Sequence, residues 1–210
     1  VPGARFMPSY KNKVWDGKIR LLNLNTCKLY AGLMHKVEEF AGPRDYKVIY
    51  DNYEPGTKNF SLYEAKEFVQ KQNFTLEPRD YQLDTFVHAI RNSRAVYESP
   101  TASGKSFIMY MIMRYYLTPT LIIVPTTTLV HQLYSDFEDY GFNPEKYVHK
   151  IYSGQEKETK KPIVISTWQS LYKQPKSWFE SFNLVLGDEA HQFKSKSLID
   201  IMTKLETVLI

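Results

Sequence analysis

The sequence has a single cysteine, no long hydrophobic run and no low-complexity segment, and each absence narrows what the chain can be. Cys27 has no partner for an internal disulfide, which fits a reducing compartment. No apolar run approaches the roughly 20 residues that a membrane-spanning helix needs. No signal peptide is visible, and a start without methionine indicates a processed or trimmed N-terminus. We therefore expect a cytoplasmic protein with no membrane partner.

The net charge of +4 is distributed unevenly along the 210 residues. Residues 1–75 hold 12 basic and 8 acidic side chains, whereas the rest of the chain holds 15 of each. Basic and aromatic residues interleave in this first third, at Tyr10, Lys11, Lys13, Trp15, Lys18, Arg20, Lys28 and Tyr30. That composition suits phosphate neutralisation and base stacking, and it equally suits a small domain whose aromatic residues form the core. We take only Lys13, Lys18 and Arg20 as predicted nucleic-acid contacts.

Hydrophobic patterning predicts a small basic α+β domain over residues 1–73 and an α/β lobe over residues 74–210. The first domain has predicted strands at 19–24 and 47–50 and a short predicted helix at 32–40. Ser61 and Glu64 have the spacing of a capping box, which starts a further helix just before the boundary.

Predicted strands and helices alternate through the second part of the chain. This alternation implies a mostly parallel sheet with helices on both faces, and ligands of such sheets bind beyond the carboxyl ends of the strands. The predicted strands are 94–99, 121–124, 148–153, 163–166 and 184–186, and the predicted helices are 80–92, 105–117, 127–140, 168–173 and 197–206.

The run 99–106, Ser-Pro-Thr-Ala-Ser-Gly-Lys-Ser, follows a predicted strand and opens a predicted helix, as a phosphate-binding loop does. Backbone N–H groups in such a loop point at phosphate, and the helix N-terminus adds partial positive charge. Lys105 would reach the β- and γ-phosphates of ATP, and the Ser106 hydroxyl would hold Mg²⁺. The predicted ATP-binding residues of the loop are Pro100, Thr101, Ala102, Ser103, Gly104, Lys105 and Ser106.

The segment before the first helix of the lobe supplies candidates for adenine recognition. The Gln82 amide can both donate to and accept from an adenine edge, with Arg79 and Tyr81 shaping the pocket. The alternative is that Tyr81 and Gln82 are ordinary residues of a first helical turn.

The phosphate loop has a partner downstream, where the strand at 184–186 leads into Asp188-Glu189-Ala190-His191. Asp188 is a candidate Mg²⁺ partner, and Glu189 is a candidate base for the attacking water. His191 is a candidate sensor of the γ-phosphate, although lone histidines are more often structural. The alternative for the acid pair is a solvated turn. Together the two segments indicate an ATP-driven lobe of the nucleic-acid helicase type.

Two further segments combine a strand end, hydroxyl side chains and a helix start. Such groups can bind backbone phosphate without reading sequence, although threonines also cap helices and a tryptophan more often fills a core. The predicted contacts are Pro125, Thr126, Thr127 and Gln132 in the first segment and Thr167, Trp168 and Gln169 in the second.

Five motifs in order resemble those of the superfamily 2 helicases: 79–82 (the Q-like motif), 100–106 (motif I), 125–132 (motif Ia), 166–169 (motif Ib) and 188–191 (motif II). Segments 12–22, 121–127 and 167–179 resemble the UvsW-type recombination helicases of T4-type phages. The resemblance implies a RecA-like P-loop NTPase lobe behind a small accessory domain. It also implies an ATP-dependent DNA helicase or translocase, with ATP and Mg²⁺ as cofactors and branched or forked DNA as partner. A phage-encoded protein would act in the host cytoplasm.

The chain departs from the family pattern at Ser99 and Ala102, where glycine is usual, and at Gly187, where an apolar residue is usual. It stops at Ile210, before motif III and before the second RecA-like lobe that the same full-length chain would carry. We therefore expect these 210 residues alone to bind ATP weakly, hydrolyse it poorly and unwind nothing. Two alternatives stay open, a restriction-type translocase subunit and a nucleic-acid-binding protein with a residual nucleotide site.

Overall fold

A computed structural model describes residues 2–29, 31–50, 58–92, 94–100, 102–189, 196–205 and 208–209. Contacts divide the chain into two units, Val1–Glu54 and Pro55–Ile210. The helix that begins after Ser61 therefore belongs to the second unit, whereas the sequence placed it before the boundary at residue 73. Its packing explains this, because Ala65 is fully buried and Phe68 stacks on Phe86 with ring centroids 5.5 Å apart. Among the described residues, no helix is long and apolar enough to cross a membrane.

The first unit is built from short helical segments. Helix α2 (Met34–Ala41) confirms the short helix predicted at 32–40, but the predicted strands at 19–24 and 47–50 are wrong. A strand is stabilised by its pairing partner, and the described residues of this unit contain only one antiparallel bridge, Asn23–Lys28. The elements are α1 (Pro8–Lys11) and α2 (Met34–Ala41), with 3₁₀ turns at Ala4–Phe6, Ala31–Leu33 and Gly42–Arg44.

The second unit contains five strands, β1 (Thr120–Val124), β2 (Val148–Ile151), β3 (Ile163–Thr167), β4 (Leu184–Gly187) and β5 (Val208–Leu209). They form a parallel sheet with the order β2-β3-β1-β4-β5, which confirms the predicted architecture. Val124 at the end of β1 lies opposite Thr167 of β3, and Ile123 lies opposite Gly187 of β4. The carboxyl ends of these three strands therefore meet at one edge.

Helices cover both faces of this sheet. The predicted strand at 94–99 is wrong, because only Arg94 forms a bridge and Val96 is 81% exposed. The helices are α3 (Leu62–Gln72), α4 (Asp80–Arg91), α5 (Lys105–Tyr116), α6 (Thr127–Asp139), α7 (Pro144–Tyr147), α8 (Trp168–Leu171), α9 (Lys176–Phe179) and α10 (Lys196–Lys204).

The core consists of two clusters separated by the sheet, because successive strand side chains point to opposite faces. Ile122 and Val124 of β1 pack in the cluster that includes residues of α3–α6. Leu121 and Ile123 pack in the second cluster, with residues of α8, α9 and α10. The second unit is thus a three-layer α/β/α lobe whose loops at the carboxyl edge are available for a site.

Candidate nucleotide and nucleic-acid site

The phosphate loop turns sharply before α5. Ala102 has φ +63° and Gly104 has φ +76°, both in the left-handed region. Lys105 is the first residue of α5, and the N–H groups of Lys105 and Ser106, which have no partner among the described residues, border the loop. Lys105 makes no hydrogen bond or ion pair with any described residue. Its ammonium group is therefore an uncommitted cation at a helix N-terminus, as binding of a polyphosphate requires.

Three residues from the start of α4 hold the loop through one carbonyl. The Gln82 amide nitrogen donates to the Ser103 carbonyl at 3.0 Å, and the Tyr81 hydroxyl donates to the same oxygen at 2.8 Å. Arg79 completes the group, since its guanidinium donates to the Tyr81 hydroxyl and its backbone N–H donates to the Gln82 side-chain oxygen. Both ends of the buried Gln82 amide are thus engaged by the protein. Recognition of adenine by Gln82 stays a prediction.

Gly104→Ala is expected to destabilise the lobe and the loop together. A Cβ at Gly104 would lie 2.4 Å from the Gln82 amide nitrogen, so Gln82 would have to leave the Ser103 carbonyl. The left-handed φ adds about 1–2 kcal/mol of backbone strain for a residue with a Cβ. We expect a loss of about 2 kcal/mol or more in the free energy of unfolding, measured by urea denaturation. Unchanged stability would show that the loop does not hold this conformation.

Ala102→Gly is expected to act in the opposite direction at the neighbouring left-handed position. Ala102 is exposed, so removing its methyl group loses no packing, and glycine adopts φ +63° without strain. We expect a gain of up to about 1 kcal/mol in the free energy of unfolding, since part of the relieved strain is offset by the greater entropy of glycine in the unfolded chain. A loss of stability in the same denaturation experiment would contradict this conformation.

Ser106, the predicted magnesium ligand, is bonded to the C-terminal end of α6. Its hydroxyl lies 2.8 Å from the Tyr140 hydroxyl. Burial raises the pKa of Asp136 above its usual range, and a hydrogen bond from Ser106 opposes that shift. The described residues show no hydrogen bond between Ser106 and Asp188, so the structure does not itself bring these two predicted magnesium ligands into contact.

The acid pair lies directly after β4. The Asp188 backbone N–H donates to the Ile123 carbonyl at 2.9 Å, which extends the β1–β4 pairing by one residue. One oxygen of the Asp188 carboxylate accepts from the Glu189 N–H at 2.9 Å, and Glu189 has φ +55°. Both side chains are partly exposed at the carboxyl edge of the sheet. The structure therefore presents two adjacent carboxyl groups where the topology places a ligand.

The donor chemistry fits magnesium. A hydroxyl and a carboxylate are hard oxygen donors, and Mg²⁺ is commonly held by one or two carboxylates together with phosphate oxygens and water. Among the described residues no group of three or more His, Cys, Asp or Glu could hold a metal.

Some predicted residues lie outside the described part of the chain. These are Thr101 of the phosphate loop, Ala190 and His191 of the acid segment and Tyr30 of the first unit. The roles of Thr101 and His191 stay predictions. Pro100 is described and is exposed beside the loop.

The two predicted nucleic-acid segments meet at the carboxyl edge, where the Gln169 amide donates to the Pro125 carbonyl at 3.3 Å. The predicted contact residues of the two segments differ in how exposed they are to solvent. Thr126, Thr127, Gln132 and Gln169 are exposed. Thr126 also caps α6 by accepting from the Leu129 N–H, as the alternative interpretation expected.

Pro125 is partly buried, and the other two members, Thr167 and Trp168, pack against the protein interior. Thr167 is only 5% exposed, and its hydroxyl lies 3.0 Å from that of Ser170. Trp168 is partly buried against the second core cluster. The exposed threonines and glutamines are therefore the side chains best placed to meet a nucleic-acid backbone.

In the first unit, basic and aromatic side chains line an open cavity of about 750 Å³. Lys13 lines it, and so does Arg20, whose guanidinium is 2.6 Å from Asp16 and lowers the pKa of that carboxyl by hydrogen bonding. Lys18 lies outside this lining. Arg5 and Lys11 also line the cavity, although the sequence analysis did not place them among the predicted nucleic-acid contacts. Their positive charge close to Trp15 in the sequence was the signal that could have identified them.

Comparisons with known proteins cover nearly the whole chain. Residues 75–210 match the family described as type III restriction enzyme, res subunit, and residues 1–51 match the family described as DNA helicase UvsW, N-terminal. The ATP-dependent DNA helicase uvsW of Enterobacteria phage T4 is 36% identical over 99% of this chain. A DNA 3'-5' translocase XPB2 of Sulfurisphaera tokodaii is 30% identical over 62% of this chain and 28% of its own length.

A solved structure shares the fold. The crystal structure of the UvsW helicase from bacteriophage T4 superposes with a TM-score of 0.83 and 34% identity, covering 99% of this chain and 78% of that chain. This chain spans only 44% of the length of the T4 helicase sequence.

Proposed function

The chain belongs to the family described as type III restriction enzyme, res subunit, and it carries an N-terminal segment that matches UvsW helicases; on this premise we propose that it is the N-terminal part of an ATP-dependent DNA helicase or translocase. Its substrate would be branched recombination or replication DNA. One observation carries the proposal. A phosphate loop with an uncommitted Lys105 opens α5, in the same three-layer lobe whose β4 is followed directly by Asp188 and Glu189.

The proposed nucleotide chemistry divides among four residues. Lys105 binds the β- and γ-phosphates, Ser106 and Asp188 hold the metal, and Glu189 orients or activates the attacking water. Mg²⁺ bound there would neutralise charge on the phosphate oxygens. The side chains of Tyr81 and Gln82 bond to the Ser103 carbonyl, and Arg79 bonds to both of these residues. This group therefore fixes the position of the phosphate loop, and binding of a nucleotide to the loop acts on the same bonds.

The proposed DNA surface lies at the carboxyl edge of the sheet. Exposed Thr126, Thr127, Gln132 and Gln169 are suited to phosphate contacts that do not depend on base sequence. In the first unit, the basic and aromatic cavity with Lys13 offers phosphate neutralisation and base stacking. A second RecA-like lobe in the same protein is the proposed partner that completes the motor.

The experiment is strand separation on a forked DNA by the protein that contains this chain. We expect a displaced strand with ATP and Mg²⁺ and none with a non-hydrolysable ATP analogue. A protein that moves along duplex DNA by hydrolysis without separating strands would favour the restriction-type translocase. A protein that binds the fork but never uses ATP would refute the proposal in favour of a nucleic-acid-binding protein.

A further inference from the structure

Lys204, the last described residue of α10, ties that helix to the turn after α8. Its ammonium group donates to the Tyr172 carbonyl at 3.0 Å and to the Gln174 carbonyl at 2.8 Å. It also lies 5.8 Å from the centroid of the Phe179 ring. Lysines near a helix end commonly bond to carbonyls there, but these carbonyls lie about thirty positions earlier in the chain. The contact therefore joins two separate elements.

Apolar packing brings the same elements together. Leu198 and Ile201 of α10 are 1% and 0% exposed, and they share the second core cluster with Leu171 of α8 and Phe179 of α9. The helix α8 has only four residues, too few to be stable by itself. Its position is therefore set by β3, by this cluster and by the turn that Lys204 holds.

The two helices that Lys204 joins are each connected to a different part of the proposed site, α8 to the DNA surface and α10 to the acid pair. Helix α8 carries Gln169, which lies at the carboxyl edge on the Pro125 carbonyl. Helix α10 is the next described element after the acid pair, and it connects β4 to β5, which pair in parallel. Val185 of β4, the strand that leads directly into Asp188, packs in the same buried cluster as Leu198 and Ile201 of α10. The contacts of α8 with α10 therefore extend to the strand that positions the acid pair.

We propose that Lys204 is a positioning residue that couples DNA contact at α8 to ATP hydrolysis at the acid pair. This inference rests on the proposed function. Lys204 touches neither nucleotide nor DNA in this scheme. It acts by holding the carbonyls of Tyr172 and Gln174 on α10, so that α8 and α10 move as one body.

The test measures ATP hydrolysis by the protein that contains this chain, without DNA and over a series of forked-DNA concentrations. Lys204→Met keeps the apolar stem beside Phe179 and removes the donors, whereas Lys204→Arg keeps donors. Thr203→Val is the matched control, because Thr203 is exposed on the same helix and its hydroxyl bonds only within it, to the Asp200 carbonyl. For Lys204→Met we expect an unchanged rate without DNA and about a tenfold rise in the DNA concentration for half-maximal stimulation. Lys204→Arg should restore most of the DNA response.

Each other outcome decides against the coupling. Stimulation of Lys204→Met equal to that of the parent overturns this inference and leaves the proposed function standing. A fall in melting temperature together with a proportional fall in the rates with and without DNA would show a purely structural role, which also overturns it. A parent protein whose hydrolysis ignores DNA refutes the proposed function and the coupling with it.

Discussion

Lys105→Ala is expected to lower ATP hydrolysis by about 10²–10³-fold, the effect of removing one placed electrostatic group from a charged transition state. Lys105 makes no hydrogen bond or ion pair with any described residue, so this substitution removes a ligand contact without breaking a structural one. The measurement is the steady-state rate of phosphate release by the protein that contains this chain, with ATP, Mg²⁺ and forked DNA.

The matched control is Lys71→Ala. Lys71 is exposed on α3, and its ion pair with Glu67 at 4.0 Å is weak. We expect Lys71→Ala to hydrolyse ATP at the parental rate, and Lys105→Ala to bind forked DNA with nearly parental affinity. Hydrolysis by Lys105→Ala at a rate close to that of the parent would show that the loop at 99–106 is not the nucleotide site.

Glu189→Gln is expected to separate binding from chemistry. The amide has nearly the shape of the carboxylate but cannot accept the proton of an attacking water, so hydrolysis should fall by about 10²–10⁴-fold. Nucleotide affinity should stay close to parental, in contrast to Lys105→Ala, because Glu189 contacts water rather than phosphate in the proposed mechanism. Single-turnover hydrolysis and titration with a fluorescent ATP analogue measure the two quantities.

Asp188→Asn is the companion variant for this experiment. Asp188 is proposed to hold the metal, so its loss should raise the Mg²⁺ concentration needed for nucleotide binding, which Glu189→Gln leaves unaltered. A Glu189→Gln protein that hydrolyses ATP normally would remove Glu189 from the mechanism. Equal Mg²⁺ dependence in both variants would contradict the division of roles within the acid pair.

The architecture of the lobe could be predicted because its signals are local. The strands β1, β3 and β4 are nearly continuous apolar runs, typical of strands buried on both faces, and α4 and α6 have clear helical periodicity. The capping box at Ser61 also formed as expected, with Ser61 and Glu64 bonded reciprocally. Each of these features is decided within about a dozen neighbouring residues.

The errors and omissions have a common physical cause, which is dependence on distant partners. The segments 19–24 and 94–99 have residues that suit strands, but a strand forms only where another strand pairs with it. The engagement of Ser106 by Tyr140 joins residues 34 positions apart, and that of Gln82 with Ser103 joins residues 21 positions apart. No periodicity or motif spacing reports such contacts.

The most direct test of the central claim is the rate of ATP hydrolysis by the protein that contains this chain, measured with and without forked DNA. The proposed function predicts a rate that rises with DNA concentration to a plateau, and a Lys105→Ala protein that stays at the baseline throughout. A rate that is the same with and without DNA, or the same in the parent and in Lys105→Ala, would contradict a DNA-driven motor that uses this phosphate loop.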